Sequence, residues 1–162
     1  MKIKIFITGG TIDDLDYDSI ENAPVNHQSL IPNILKVARI TEDYTFEVLM
    51  QKDSKFVVDI DREFILKKCQ ECEERKIIIT HGTMTMPETA RYLDDHKLPK
   101  TIVLTGAAIP ANKENSDADF NLGAAFMAVQ IFPTGVYVSM NGKSFKAAEV
   151  KKNLNTGYFE TI

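Results

Sequence analysis

Tryptophan is absent from this chain of 162 residues, and cysteine occurs only twice. Two cysteines cannot build the disulfide framework on which small secreted domains rely. Cys69 and Cys72 form a CxxC inside DREFILKKCQECEERK. That stretch has helical periodicity, so the two thiols are expected one turn apart on a helix. Zinc would need two further strong ligands, and the sequence offers neither a second cysteine pair nor an HxxxH. A redox CxxC opens a helix, where the dipole lowers the thiol pKa, whereas this one is expected well inside. Both cysteines are therefore read as structural, and no metal is expected. Positive charge is also in deficit. The net charge of −4 gives no electrostatic reason to expect nucleic acid. The lysines clustered between Lys143 and Lys152 are read as a solvated face. No run approaches the ~18 apolar residues that span a bilayer, so no membrane partner is expected. The N-terminal MKIKIFITGG superficially resembles a leader, but its apolar run is short and alternates like a strand ending in a glycine turn. A cytoplasmic protein is the expectation.

What is present is the composition of an ordinary globular domain, 44% hydrophobic and 26% charged. The length suits a single domain over residues 1–162, and no repeat, low-complexity stretch or linker interrupts it. Strands are expected at 3–8, 44–50, 76–80, 101–105 and 135–140, three of them continuous β-branched runs of the kind buried on both faces of a parallel sheet. Helices are expected at 28–39, 61–75, 86–96 and 118–130. The alternation predicts an α/β fold with a mainly parallel sheet and helices on both faces. Thr85 to Glu88 reads as a capping box, with Pro87 early in the first turn. Ser116 and Asp117 offer a second polar cap, ahead of an apolar face at Phe120, Ala124 and Met127. Asn141-Gly142 reads as the tight turn of a hairpin.

Three strands run into turns of the same chemical kind, namely Thr8-Gly9-Gly10-Thr11, Thr80-His81-Gly82-Thr83 and Thr105-Gly106. Ligands of open α/β sheets bind outside the carboxyl ends of the strands, so neighbouring strands would bring these turns to one edge. Glycine lets backbone amides approach a ligand closely and act as oxyanion donors. Thr11 and Thr83 are the candidate nucleophiles, and each needs a base. His81 or a lysine whose pKa is lowered by burial could serve, and spacing alone does not choose between them. The glycines fit neither the GxxxxGK[ST] phosphate loop nor GxGxxG, and no cofactor is expected.

ITGGTID (7–13), THGTMTMPETA (80–90) and VLTGAAIPANKENSDADFNLGAAF (103–126) closely resemble the bacterial-type L-asparaginase family. The family typically shows TGGTI, HGTDTMEETA, then VLTGAMRP followed by SDGxxNLxxA. KDS (52–54) and SMNGKSFKAAEVKKNLNT (139–156) extend the match over nearly the whole chain, in order and in register. The resemblance implies a flavodoxin-like three-layer domain, the family's N-terminal domain. It makes Thr11 the primary nucleophile, Thr83 the second threonine and Lys152 the lysine paired with it as a base. It gives Ser54 the substrate's α-carboxylate, with Asp53, Gly10, Gly82 and position 84 around the substrate and backbone amides near Thr11 and Thr83 as the oxyanion hole. The family's lid tyrosine, which activates the nucleophile, would be Tyr17, at a shorter spacing than usual. The chemistry needs no cofactor.

Two departures stand out. Met84 occupies the position of the family's aspartate, which binds the α-ammonium and belongs to the threonine–lysine–aspartate group. Without that carboxylate, Lys152 is expected to lose its proton more readily if buried. The chain also ends where the family's first domain ends, and the C-terminal domain, which lends an acidic residue to a neighbour's site, is absent from it; self-association as a homo-oligomer is expected. Ala108-Ile109-Pro110 replaces MRP and removes a positive charge. The expected function is hydrolysis of a small side-chain amide with altered substrate preference. The alternative is a non-catalytic domain that binds a small carboxylate.

Overall fold

The computed structural model describes residues 2–162. Five strands lie parallel: β1 (Ile3–Gly9), β2 (Tyr44–Lys52), β3 (Lys76–Thr80), β4 (Thr101–Thr105) and β5 (Gly135–Met140). β6 (Lys143–Lys146) returns antiparallel on β5, and the sheet order is β2-β1-β3-β4-β5-β6. This is the flavodoxin-like order, with a topological switch beside β1. The hairpin expected at Asn141-Gly142 forms, and both residues take positive φ, 53° and 77°. A second, two-stranded sheet pairs β7 (Val150–Lys152) antiparallel with β8 (Phe159–Thr161).

The central strands are buried on both faces, which is why their sequences are continuous rather than alternating. Ile3, Ile5, Ile7, Ile78 and Val103 face one layer, made by α1 (Ile31–Val37) and α4 (Ala118–Ile131). Phe6, Ile77, Ile79, Ile102 and Leu104 face the other, made by α2 (Asp59–Glu71) and α3 (Met86–Asp95). The result is the expected three-layer α/β arrangement. β7 and β8 join the second layer through Val150 and Phe159, and Arg91 of α3 donates to the Val150 carbonyl at 2.8 Å.

Three local expectations need correction. The apolar face of α4 is not Phe120, Ala124 and Met127. Phe120 and Met127 are largely exposed, and the helix buries Ala118, Leu122, Ala125 and Val129. ADFNLGAAFMAVQI is apolar nearly all round, so spacing alone could not choose the face. The helix at 61–75 ends at Glu71, so Cys72 caps it rather than lying inside. Cys69 is fully buried and its thiol is pushed up to about 12 by burial, which suits a structural residue. The Thr85–Glu88 capping box does not form: Thr85 makes no side-chain bond to its own helix. Among the described residues, no helix is long and apolar enough to cross a membrane.

Candidate active site

β1, β3 and β4 are adjacent and in register, Ile7 opposite Thr80 and Thr80 opposite Thr105, so the three glycine turns do meet at one edge. The end of β2 delivers Asp53 and Ser54 beside them. The packing there is closer than any side chain allows. A Cβ on Gly10 would lie 2.3 Å from the Gly82 Cα, and one on Gly82 would lie 2.5 Å from the Ser54 Oγ. Gly10 also has φ 83°. Its N–H is committed to the Lys52 carbonyl at 2.8 Å, so Gly10 supplies close approach rather than an amide donor.

A cavity of about 290 Å³ opens at this edge, and Thr11, Ser54, Thr83, Met84 and Lys152 all line it. Thr11 begins the short 3-10 turn that follows Gly10, and no protein group among the described residues bonds its hydroxyl. Lys152, at the end of β7, donates to the Thr83 Oγ1 at 2.7 Å. Burial holds its ammonium below the usual lysine range, and no carboxylate among the described residues pairs with it. Partial desolvation without a counter-ion disfavours the charged form of a lysine, and Thr83 is the group it bonds. A larger cavity, about 420 Å³, lies between the end of α1 and α4, but no lysine and no strand-end turn reaches it.

Ser54 is buried and holds the cavity floor. Its Oγ accepts the Met84 N–H at 3.1 Å, and its carbonyl accepts the Thr85 hydroxyl at 2.8 Å. Thr85, expected to cap α3, instead ties the start of α3 to the end of β2. Asp117 behaves similarly. It accepts the Ala108 and Ile109 N–H groups, both at 3.0 Å, fixing the turn after β4, while Ser116 accepts from the Ala118 N–H. Ala108 lines the cavity.

Tyr17 sits behind the wall, not in it. Its ring stacks on Phe56 with centroids 5.2 Å apart, and its hydroxyl accepts the Asp53 N–H at 3.1 Å. The Asp53 carboxylate in turn accepts the Tyr17 N–H at 3.3 Å and the Lys55 N–H at 2.9 Å. Tyr17 and Asp53 thus clasp the segment after Thr11 against the end of β2. Sequence reasoning passed over Lys55 and Asp16, which line the cavity beside Ser54. Lys55 Nζ lies 2.9 Å from Asp16 Oδ1 and 3.1 Å from Asp53 Oδ2. These two carboxylates raise its pKa, Asp16 more than Asp53, and Lys55 in turn lowers that of Asp16. The only sequence signal was adjacency to Ser54. Asp13, also passed over, is fully buried and accepts from Ser29 Oγ at 2.9 Å and the Leu30 N–H at 2.7 Å. It anchors the far end of the 14–30 segment to the turn that carries Thr11, and burial raises its pKa.

His81 is not a base for either threonine. It is fully buried outside the cavity, and its Nδ1 meets the Gly82 carbonyl at 2.8 Å, a contact in which only the ring can donate. Nε2 therefore accepts from Thr89 Oγ1 at 3.0 Å, and Arg62 Nε donates to that oxygen at 3.3 Å. Burial pushes the imidazole down to about 4, so it is neutral and positions the Gly82 turn. Of the two candidates left open, His81 contacts Thr89 outside the cavity, whereas Lys152 contacts Thr83 within it.

Residues 2–161 match the family described as "Asparaginase, N-terminal". A protein named "Probable L-asparaginase periplasmic" from Haemophilus influenzae is 31% identical, the match covering 95% of this chain and 47% of that one. The solved L-asparaginase of Thermococcus kodakarensis superposes with a TM-score of 0.84 at 29% identity, over 100% of this chain and 51% of that chain. A probable cytoplasmic L-asparaginase from Campylobacter jejuni superposes with 0.79 at 32% identity, over 99% and 52%. These names span two compartments, so kinship does not fix a location. The chain spans about half the length of these relatives. In sequence and in fold, it belongs to the asparaginase family as a counterpart of the N-terminal domain.

Proposed function

We propose that the chain is an asparaginase-like amidohydrolase that cleaves a small side-chain amide through a threonine nucleophile. The observation that carries this reading is the 2.7 Å contact between Lys152 and Thr83, in the same cavity as an unengaged Thr11 hydroxyl. In the first half-reaction, Thr11 Oγ loses its proton and attacks the amide carbon. The C–N bond then breaks, nitrogen leaves as ammonia with that proton, and an ester remains on Thr11. In the second, water gives a proton to Lys152 by way of Thr83 and attacks the ester. The bond between the acyl carbon and Thr11 Oγ breaks, Lys152 returns its proton by way of Thr83 to restore the hydroxyl, and the acid leaves as a carboxylate, its own proton passing to solvent. The N–H groups of Thr11 and Thr83 have no protein partner among the described residues and are the candidate donors to the oxyanion. Gly10 and Gly82 make the close approach possible, and Ser54 is the anchor for a substrate carboxylate.

Ammonia release from L-asparagine, L-glutamine and amides without an α-amino group tests the reading. Release is expected from at least one of them, and Thr11→Ala should lower it by on the order of 10³-fold or more. Carboxylate binding without release from any amide would place the chain among non-catalytic binders instead.

A further inference from the structure

The cavity has an uneven supply of charge partners. Among the described residues that line it, Asp16 and Asp53 are the only carboxylates, and both bond the same lysine, Lys55. Asp53 is further committed to the Tyr17 and Lys55 N–H groups. Asp16 is two-thirds exposed, where solvent weakens any further pairing. Met84, beside Ser54, presents a thioether and no charge. An ammonium entering here would meet a methionine and a lysine held in its charged form. A carboxylate would meet the opposite reception. Ser54 Oγ already accepts the Met84 N–H, so its own proton is free to donate, and Lys55 supplies positive charge next in the chain.

Building on the amidohydrolase reading above, we propose that the site takes the monoamide of a small dicarboxylic acid lacking an α-amino group, with succinamate as the model compound. Attack at its amide carbon releases ammonia, and hydrolysis of the Thr11 ester releases succinate, so one water is consumed. Specificity comes from what the wall refuses as much as from what it accepts, because an unpaired ammonium against Met84 and Lys55 loses its hydration without replacement.

Two measurements on the intact chain test this. Ammonia release gives kcat/KM for succinamate and L-asparagine, and calorimetry gives Kd for succinate and L-aspartate. Succinamate and succinate should each be favoured at least tenfold, a conservative share of one charge-assisted bond. Met84→Asp should move both ratios toward the amino compounds by roughly 10- to 150-fold. Met84→Leu should leave the preference in place. Equal or tighter binding of aspartate by the unaltered chain would overturn the proposal, as would ratios unmoved by Met84→Asp or no binding of either dicarboxylate. Succinate preferred with no ammonia from any amide would sustain the ligand class while defeating the amidohydrolase reading. Ammonia released with asparagine preferred would do the reverse.

Discussion

The two ends of one cavity hold a lysine each, and their surroundings drive them in opposite directions. At the β2 end, Lys55 lies between Asp16 and Asp53, which raise its pKa and keep it an ammonium. At the β7 end, Lys152 is half-buried, its ammonium bonds only the Thr83 hydroxyl among the described residues, and it is pushed below the usual lysine range. The same side chain is therefore a fixed charge in one place and a candidate proton acceptor in the other. Two carboxylates and a little burial separate the proposed binding group from the proposed base. An aspartate at position 84 would add a carboxylate to the cavity wall that lies between these ends.

The largest expected effect comes from breaking the β7 end. Lys152→Met keeps the stem and deletes the proposed base, and should lower kcat for ammonia release by about 10²–10⁴-fold. Lysine accepts a proton only when neutral, so ammonia release by the unaltered chain should increase as pH rises. Because burial lowers the folded pKa, that rise should come at a lower pH than for an ordinary lysine. A rise centred at or above 10.5 would show that Lys152 is not the titrating base. Met84→Asp, adding a carboxylate to the same cavity, is expected to move the rise upward.

A smaller effect lies under that same end, in the scaffold. His81 has a folded pKa of about 4 against 6.5 for the free side chain. Between these values the unfolded chain binds a proton that the folded chain refuses, so stability increases with pH across this window. The contribution is complete above pH 6.5 and lost as pH falls toward 4, amounting to about 3 kcal/mol. Urea unfolding at several pH values would measure it, and His81→Asn, which can still donate to the Gly82 carbonyl, should flatten that part of the profile. An identical slope in the variant would assign the pH dependence to other groups.

Much of this molecule was legible in the residues, and what was hidden follows a pattern. Strands β1, β3 and β4 announced themselves because a run such as KIIIT has few other fates, and their glycine endings pointed to the edge where the cavity lies. Lys152 was different. By composition it belonged to a lysine-rich solvated face, and only the family motif singled it out; β7, which carries it, is three residues long. The exposed face of α4 misled because nearly every position there is apolar. Polar residues near the site were the least predictable. Thr85 looked like a helix cap by spacing, yet bonds Ser54, a partner 31 residues away. Asp16, Asp53 and Lys55 meet only because the segment after Thr11 folds back on the end of β2, and no local pattern encodes that contact.

The smallest expected effect comes from the β2 end, and it isolates charge from fold. Lys55→Met removes the cation and keeps most of the stem. Global stability should change little, since the pair with Asp16 is open to solvent and screened by salt, and buried Asp53 keeps its two backbone N–H bonds. Two consequences should appear in binding. Succinate should lose about fivefold in affinity, as expected for one partly exposed ion pair. Aspartate should lose less or gain, because Asp16 is freed to meet an ammonium while Asp53 keeps its bonds to the N–H groups of Tyr17 and residue 55. The succinate-to-aspartate ratio should therefore narrow without any change at Met84, and raising salt should narrow it in the unaltered chain by the same electrostatic route. Met84→Asp and Lys55→Met act on opposite sides of one preference, one by adding a carboxylate and the other by releasing that of Asp16. If Lys55→Met weakened both ligands equally, Lys55 would be a general anchor for carboxylates, and discrimination against the ammonium would rest on Met84 alone.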